Sequence, residues 1–91
     1  MEITFDPAKN ERNIRERGLS FERVADFDFA TAVFFVDSRR DYGETRAVGY
    51  LDRRLHTLCF TETPTVIRVI SFRRSNRKEA RQHGKSQTLD R

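Results

Sequence analysis

Cysteine, histidine and proline are scarce in this 91-residue sequence, which contains one Cys, two His, two Pro and no Trp. The one cysteine, Cys59, cannot form a disulfide within the chain, and one Cys with two His cannot complete a four-ligand structural zinc site. No apolar segment approaches the ~18–20 residues that span a bilayer, and no signal-peptide core follows Met1. We therefore expect a cytoplasmic protein with a single domain at residues 1–83, a flexible polar tail at residues 84–91, and no metal, cofactor or membrane association.

Basic residues are abundant and unevenly distributed. Residues 1–66 contain 10 Lys and Arg against 12 Asp and Glu, a net charge of −2, whereas residues 67–91 contain 8 against 2, a net charge of +6. The basic region begins as an apolar, strand-like run and continues into a helix-like segment. Cations on regular elements are held in place, so this pattern predicts a polyanionic partner, of which nucleic acid is the commonest.

Apolar periodicity and turn residues predict eight elements in the order β-α-α-β-β-β-β-α. Asp6 and Pro7 are typical of the start of a helix, and Gly18 is typical of its end. Ser20 predicts the start of a second helix, whose buried side consists of Phe21, Val24, Ala25 and Phe27 or Asp28. Strands are expected at residues 2–5, 31–36, 45–51, 55–61 and 66–72, with a turn at 37–43 and a last helix from residue 75 or 76 to about 83. This order indicates an α+β fold with a mainly antiparallel sheet, two N-terminal helices packed on one of its faces, and a C-terminal helix.

The last strand carries apolar side chains in both alternating sets. Val66, Ile70 and Phe72 are predicted to lie on one face, and Ile67 and Val69 on the other. Burial on both faces is typical of a central strand rather than an edge strand.

Composition and spacing by themselves indicate a basic domain for nucleic acid and no mechanism. One chemistry against which the arginines in predicted strands can be compared is metal-independent RNA cleavage, in which the ribose 2′-hydroxyl attacks the adjacent phosphate. That reaction needs fixed cations at the phosphate and groups that accept and donate protons. Arg68 and Arg73 on the last strand, with Arg46 on a middle strand, are candidates for the cations because guanidinium donates two hydrogen bonds to phosphate. Glu79 is a candidate proton acceptor or a partner in an intrahelical ion pair. Arg68 and Arg73 are alternatively structural, clamping an acid of the first two helices.

The remaining polar candidates have simpler interpretations beside their functional ones. A face that contacts the phosphates of the flanking RNA is predicted for four residues of the basic region, Arg74, Arg77, Lys78 and Arg81. His83 is either a cation at the end of the last helix or a general acid. The alternation of His56 with Leu58 and Phe60 indicates a histidine packed in a strand, and Cys59 is interpreted as a small core residue.

Two groups of short motifs resemble the BrnT family of ribonuclease toxins from bacterial toxin–antitoxin pairs, which have a RelE-like fold. The first group is Phe5-Asp6-Pro7-Ala8-Lys9-Asn10, then Asn13, then Gly18-Leu19-Ser20-Phe21-Glu22. The second is Gly43-Glu44-Thr45-Arg46 with Gly49, and Arg68-Val69-Ile70-Ser71-Phe72-Arg73 with Lys78-Glu79. The resemblance covers about residues 5–83.

This resemblance implies an endoribonuclease toxin that cleaves RNA without a metal and slows translation. It implies a small ribbon-helix-helix antitoxin that covers the toxin, binds operator DNA and forms a hetero-oligomer with it. Five residues are carried over by matching, namely Lys9, Arg46, Arg68, Arg73 and Glu79. The alternative reading from another class is a non-catalytic nucleic-acid-binding or regulatory module that uses the same basic surface.

Two positions depart from the family pattern. Arg17 stands where the family usually has a His before the glycine that ends the first helix, and a guanidinium cannot act as an acid or base near neutral pH. Gln82 and His83 stand where a Tyr is frequent near the end of the last helix. If either missing side chain transfers a proton in the family, the resemblance implies weaker cleavage here or the use of His83.

Overall fold

Five strands form one mixed sheet in the spatial order β1-β5-β4-β3-β2, seen in a computed structural model that describes residues 1–36 and 43–89. Its elements are β1 (Glu2–Phe5), α1 (Pro7–Arg17), a 3₁₀ helix (Phe21–Asp26), β2 (Val33–Val36), β3 (Thr45–Leu51), β4 (Arg54–Glu62), β5 (Val66–Arg74) and α2 (Arg77–Gln82). The strand β1 is parallel to β5, and the other three pairs are antiparallel. The predicted α+β class and its five strands are confirmed. Residues 37–42 of the predicted turn lie outside the described residues.

The helix α1 begins and ends at the predicted residues. The Asp6 side chain accepts a hydrogen bond from the Ala8 amide at 2.9 Å, and Pro7 occupies the first turn. Gly18 ends the helix at φ 65°, a left-handed conformation that glycine adopts without steric cost. Asn10 is the buried residue of α1, so this helix contributes little apolar surface to the core.

The prediction of a second N-terminal α-helix is wrong, because residues Phe21–Asp26 form a single 3₁₀ helix. Ser20 caps it as predicted, accepting from the Glu22 amide at 3.1 Å. The buried side chains are Phe21, Val24 and Phe27, spaced by three, whereas Ala25 is exposed. A spacing of three matches the three residues per turn of a 3₁₀ helix. Those three residues join the main core with side chains of β3, β4 and β5.

The predicted division of β5 into two faces is wrong because the strand contains a bulge. Cys59 pairs with Ser71 and the next residue of β4, Phe60, pairs with Val69, so Ile70 is an extra residue on β5. One extra residue reverses the alternation beyond it. Phe72 therefore lies in the same core cluster as Ile67 and Val69. The prediction that β5 is a central strand is confirmed, since it lies between β1 and β4.

The opposite face of the sheet, named here the α2 face, is covered in part by α2. Ala80 of α2 packs with Val48 and Leu55 in a second, smaller core cluster. Asn76 caps α2 by accepting from the Glu79 amide at 2.8 Å, while the Glu79 side chain accepts from the Asn76 amide at 3.0 Å. This reciprocal pair fixes the start of α2 and the backbone of Glu79.

The segment after α2 returns to the sheet. The Leu55 amide donates to the Gln87 carbonyl at 2.8 Å, and the Leu89 amide donates to the Arg53 carbonyl at 2.8 Å. Residues 84–89 are thus tied to the start of β4, while the division into a domain at 1–83 and a flexible tail stays a prediction. None of the helices in the described parts of the chain has the length and apolarity needed to cross a membrane.

Candidate active site

Two asparagines place α1 beside the sheet. Asn13 donates through Nδ2 to the carbonyls of Leu19 and Phe72, each at 2.9 Å, and Asn10 Oδ1 accepts from the Phe21 amide at 2.7 Å. The strand β1 ends its pairing with β5 at Val69, so the carbonyl of Phe72 lies on a part of β5 that β1 does not cover. The helix therefore lies along an open stretch of β5, where Asn13 bonds to β5 and Asn10 bonds to the start of the 3₁₀ helix.

Between α1 and the sheet lies a cleft of about 530 Å³, named here the α1 cleft. Its walls bring together two of the predicted RNA-binding residues, Lys9 from α1 and Arg46 from β3. Two carboxylates, Glu16 and Glu44, also line it. The full lining is Lys9, Arg12, Asn13, Glu16, Arg17, Phe21, Glu44, Arg46, Cys59, Ile70 and Ser71.

A second cleft, of about 560 Å³, lies at the turn between β3 and β4 and is named here the hairpin cleft. That turn consists of Asp52 and Arg53, whose φ angles of 49° and 67° are those of a tight two-residue hairpin. The cleft is strongly basic, with one carboxylate in its lining. Its residues are Arg17, Gly18, Leu19, Arg23, Leu51, Asp52, Arg54, His56, Arg73 and Arg74.

Arg17 belongs to the walls of both clefts, so the two share one basic border at the end of α1. Arg23 is largely neutralised, because it pairs with Asp52 at 2.8 Å and with Asp26 at 3.1 Å. The Nε atom of Arg54 is buried and has no hydrogen-bond partner within the described residues. Such a donor favours an anion in the hairpin cleft, because an unsatisfied buried polar group is costly.

Arg73 and Glu79 form a two-bond ion pair between β5 and α2. Arg73 Nη1 donates to Glu79 Oε1 at 2.8 Å and Nη2 donates to Oε2 at 2.7 Å. The hydrogen bonds from Arg73 lower the pKa of Glu79 to about 2, with support from the Asn76 amide. Glu79 therefore forms its ion pair with Arg73 on β5, and not with a residue of its own helix as the sequence predicts. Arg73 does clamp an acid, but that acid belongs to the last helix rather than to the first two.

The bulge in β5 brings the predicted arginines to one face. Arg68 pairs with Thr61 and Arg73 pairs with Thr57, and these threonines are four residues apart on β4. Side chains four apart on a strand share a face, whereas two residues five apart on a regular strand would not. Arg46 pairs with Cys59, midway between the two threonines, so it lies on the same α2 face. Arg68 is exposed, and four residues of strand place it about 13 Å from Arg73 along the sheet.

The other predicted residues are distributed over α2 and its ends. Arg74 lines the hairpin cleft, whereas Arg77, Lys78 and Arg81 are exposed on α2. His83 lines neither cleft and stacks on Phe35, with ring centroids 5.0 Å apart. Within residues 1–36 and 43–89, no three His, Cys, Asp or Glu side chains are grouped so as to hold a metal ion.

Sequence reasoning missed several cleft residues. Arg12, Asn13, Glu16 and Arg17 follow the predicted Lys9 at helical spacing, which would have placed them on the same side of α1. The residues of the hairpin cleft come from four separate segments, so no local pattern connects them. The sequence predicts that His56 packs in a strand, and its side chain is buried at 5% exposure. It also forms part of the wall of the hairpin cleft.

Comparison with known proteins gives one family and one similar structure. The model of the family described as "Ribonuclease toxin, BrnT, of type II toxin-antitoxin system" matches residues 5–79. The crystal structure of the Brucella abortus ribonuclease toxin BrnT is similar with a TM-score of 0.68 at 23% sequence identity, covering 85% of this chain and 99% of that one. No curated protein matches the chain. The structural likeness shows a shared fold, and the family match covers most of the sequence.

Proposed function

This chain belongs to the BrnT family of ribonuclease toxins of type II toxin–antitoxin systems, and from that membership we propose that it cleaves RNA along its two basic clefts. The membership makes the chain an endoribonuclease with RNA as substrate and an antitoxin as partner. The chemistry proposed is attack of a ribose 2′-hydroxyl on the adjacent phosphate, without a metal ion. The observation that carries the proposal is the junction of the two clefts at Arg17, which gives one basic path for a single strand.

Arg73 is assigned to the scissile phosphate. Its guanidinium is oriented by two hydrogen bonds to Glu79, and its side chain is still 33% exposed at the hairpin cleft. A fixed guanidinium stabilises the negative charge that builds on the phosphoryl oxygens in the transition state. Arg68, about 13 Å along the sheet by strand geometry, is assigned to a neighbouring phosphate.

Glu79 is assigned to the positioning of Arg73 and not to proton transfer. A carboxylate whose pKa is lowered to about 2 is a poor proton acceptor near neutral pH. Its oxygens already accept from Arg73 and from the Asn76 amide. The interpretation of Glu79 as a proton acceptor is therefore the weaker of the two that the sequence left open.

The remaining cations are assigned to binding of the flanking RNA strand. Lys9 and Arg46 bind it in the α1 cleft, and Arg74 binds it at the hairpin cleft. The exposed residues Arg77, Lys78 and Arg81 continue the positive charge along α2. Contacts of this kind supply affinity without reading the sequence of bases.

The antitoxin is proposed to be a ribbon-helix-helix protein that covers the clefts and binds operator DNA, with the toxin held on an antitoxin dimer. The proposal includes a RelE-like domain of residues 1–83, action in the cytoplasm, and inhibition of translation through RNA cleavage. Expression of the chain alone should arrest growth, and coexpression with the neighbouring antitoxin gene should relieve the arrest.

The test is cleavage of RNA by the purified protein in EDTA. We expect products that end in 2′,3′-cyclic phosphate and 5′-hydroxyl groups, and we expect Arg73→Ala to lower kcat/KM by about 10²- to 10³-fold. Arg15→Ala, a change at an exposed position of α1, is the matched control and should cleave at the normal rate. Loss of activity in EDTA, or full activity of Arg73→Ala, would contradict the mechanism. Intact RNA with salt-sensitive retention would instead favour a non-catalytic binding module.

A further inference from the structure

Among the described residues, one ring nitrogen of His56 has a hydrogen-bond partner and the other has none. Nδ1 lies 2.7 Å from the Arg54 carbonyl oxygen, and since a carbonyl only accepts, Nδ1 carries the proton. Nε2 then holds the lone pair. The described residues offer Nε2 no hydrogen bond, while the imidazole forms part of the wall of the hairpin cleft. The tautomer therefore presents a proton acceptor where the proposed substrate binds.

The surroundings of His56 hold the ring still and place cations near it. Phe72 packs against the imidazole at a centroid distance of 5.3 Å, with the ring planes tilted by 40°. Arg74 is its register partner on β5, and Arg54 precedes it by two residues on β4. Arg74 projects from the same face of the sheet as His56, whereas Arg73 projects from the α2 face. A phosphate bound by both arginines would therefore lie beside the ring at the open edge of β5, where both residues line the cleft.

We propose that His56 is the proton acceptor of the cleavage reaction, receiving the proton of the attacking 2′-hydroxyl at Nε2. This inference rests on the proposed RNA cleavage and adds a catalytic residue to it. His56 and Arg17 line the same cleft.

The step balances in atoms and charge. The 2′-hydroxyl proton moves to Nε2 as the bond from the 2′-oxygen to phosphorus forms, and the bond from phosphorus to the 5′-oxygen breaks. The 5′-oxygen leaves with that electron pair and takes a proton from water. The resulting hydroxide is neutralised by the proton that His56 releases. The products are a 2′,3′-cyclic phosphate and a 5′-hydroxyl, and the enzyme is unchanged.

The environment keeps the ring neutral, as a proton acceptor must be. Burial lowers the pKa of His56 from 6.5, and the positive charges of Arg74 and Arg54 lower it further. The carbonyl of Arg54 and the charge of Asp52 oppose this by favouring the protonated form. The other charged groups in the cleft wall are three arginines from other elements, Arg17, Arg23 and Arg73. The acid limb of the rate profile is therefore expected below pH 6.5.

His83 is the competing imidazole. It stacks on Phe35 at the C-terminal end of α2, and it lines neither the hairpin cleft nor the α1 cleft. One experiment distinguishes the two histidines. The acid limb of the pH–rate profile should disappear only when the ring that accepts the proton is replaced.

The test is the pH–rate profile for cleavage of a synthetic RNA oligonucleotide by the full chain, free of antitoxin. Asn replaces His56 in the variant, because its amide nitrogen is able to donate to the Arg54 carbonyl while no basic nitrogen remains. We expect His56→Asn to lower kcat by about 10²- to 10⁴-fold and to abolish the acid limb. Binding of an RNA with a 2′-methoxy group at the cleavage site should be unchanged, which separates catalysis from folding and affinity.

A second measurement keeps the inference testable if His56→Asn fails to fold. Titration of the His56 ring protons by NMR in the native protein without RNA should give the same pKa as the acid limb of its kcat/KM profile. A mismatch between the two values would overturn the assignment. So would a folded His56→Asn with near-normal kcat, or an acid limb that His83→Asn removes and His56→Asn retains.

The outcomes distinguish this inference from the proposed function. If native protein cleaves RNA in EDTA and Arg73→Ala is impaired while His56→Asn is not, the function stands and the role of His56 is wrong. If native protein does not cleave RNA in EDTA, the metal-independent mechanism itself fails.

Discussion

At the scale of single residues, Glu79 connects the start of α2 to the guanidinium of Arg73. The same carboxylate accepts from the Asn76 amide and from both terminal nitrogens of Arg73. The capping box is thus part of the site, since the residue that caps α2 also orients the arginine assigned to the scissile phosphate. A substitution of Glu79 should therefore change both the free energy of unfolding and the orientation of the Arg73 guanidinium.

Glu79→Gln should reduce the free energy of unfolding at pH 7 by about 1–3 kcal/mol, because it removes charged hydrogen bonds from a half-buried pair. The pKa of Glu79 is lowered from 4.5 to about 2 by Arg73, so the native protein gains this stability fully above pH 4.5. The gain is lost as the pH falls from about 4.5 to about 2. Urea unfolding of both proteins between pH 7 and pH 3 measures the difference.

The control for Glu79 is Glu11→Gln, which changes an exposed carboxylate on α1 and should leave stability unchanged. Cleavage by Glu79→Gln should fall by less than about a hundredfold, as expected for a displaced Arg73. A larger fall in the cleavage rate, together with the loss of a limb of the pH–rate profile near neutral pH, would instead indicate that Glu79 transfers a proton.

At the scale of elements, α1 is held by hydrogen bonds rather than by apolar contact. Ile14 remains 40% exposed, and the buried side chain of the helix is that of Asn10. Because Arg17 borders both clefts, the position of α1 determines whether those clefts are joined. The helix is thus attached to the sheet and to the 3₁₀ helix through the hydrogen bonds of Asn10 and Asn13.

Asn13→Ala should destabilise the protein by about 1–3 kcal/mol, since it leaves the carbonyls of Leu19 and Phe72 without this donor. Hydrogen exchange at the α1 amides should accelerate more than exchange in β4. The matched control is Arg15→Ala, at an exposed position of the same helix. Equal exchange in the two variants would show that Asn13 does not anchor the helix.

The bulge in β5 is the second feature at this scale. Alternation along residues 66–72 predicts two faces, and the apolar content on both of them correctly indicated a central strand. Because Ile70 is an extra residue in β5, Phe72 lies on the core face and Arg73 lies on the same face as Arg68. A bulge of this kind depends on pairing with β4, so it leaves no reliable mark in the local sequence.

At the scale of the whole molecule, basic residues that are far apart in the sequence lie together in the two clefts. Cations from α1, β3, β4 and β5 meet in the two clefts, although residues 1–66 have a net negative charge. Several N-terminal cations, such as Lys9, Arg12 and Arg17, therefore join the basic C-terminal region in three dimensions.

RNA binding should depend steeply on salt, with log K falling against log salt by about 0.7 for each phosphate that the protein contacts. Arg46→Ala should reduce that slope by about 0.7, because it removes one cation of the α1 cleft. The affinity is measured with an RNA that carries a 2′-methoxy group at the cleavage site. Arg15→Ala should keep the native slope, and an equal change in both variants would mean that net charge rather than the cleft governs binding.

The sequence by itself determined the α+β class, the limits of α1 and β3, the capping of α2 at Asn76 and the family. Those features depend on local propensity, caps and motif order, which neighbouring residues encode. The tertiary structure alone decided the 3₁₀ helix, the bulge, the pairing of Arg73 with Glu79 and the meeting of Arg17, His56 and Arg73 in one cleft. Each of these arises from contacts between segments far apart in the chain, and such contacts depend on how the sheet pairs and packs.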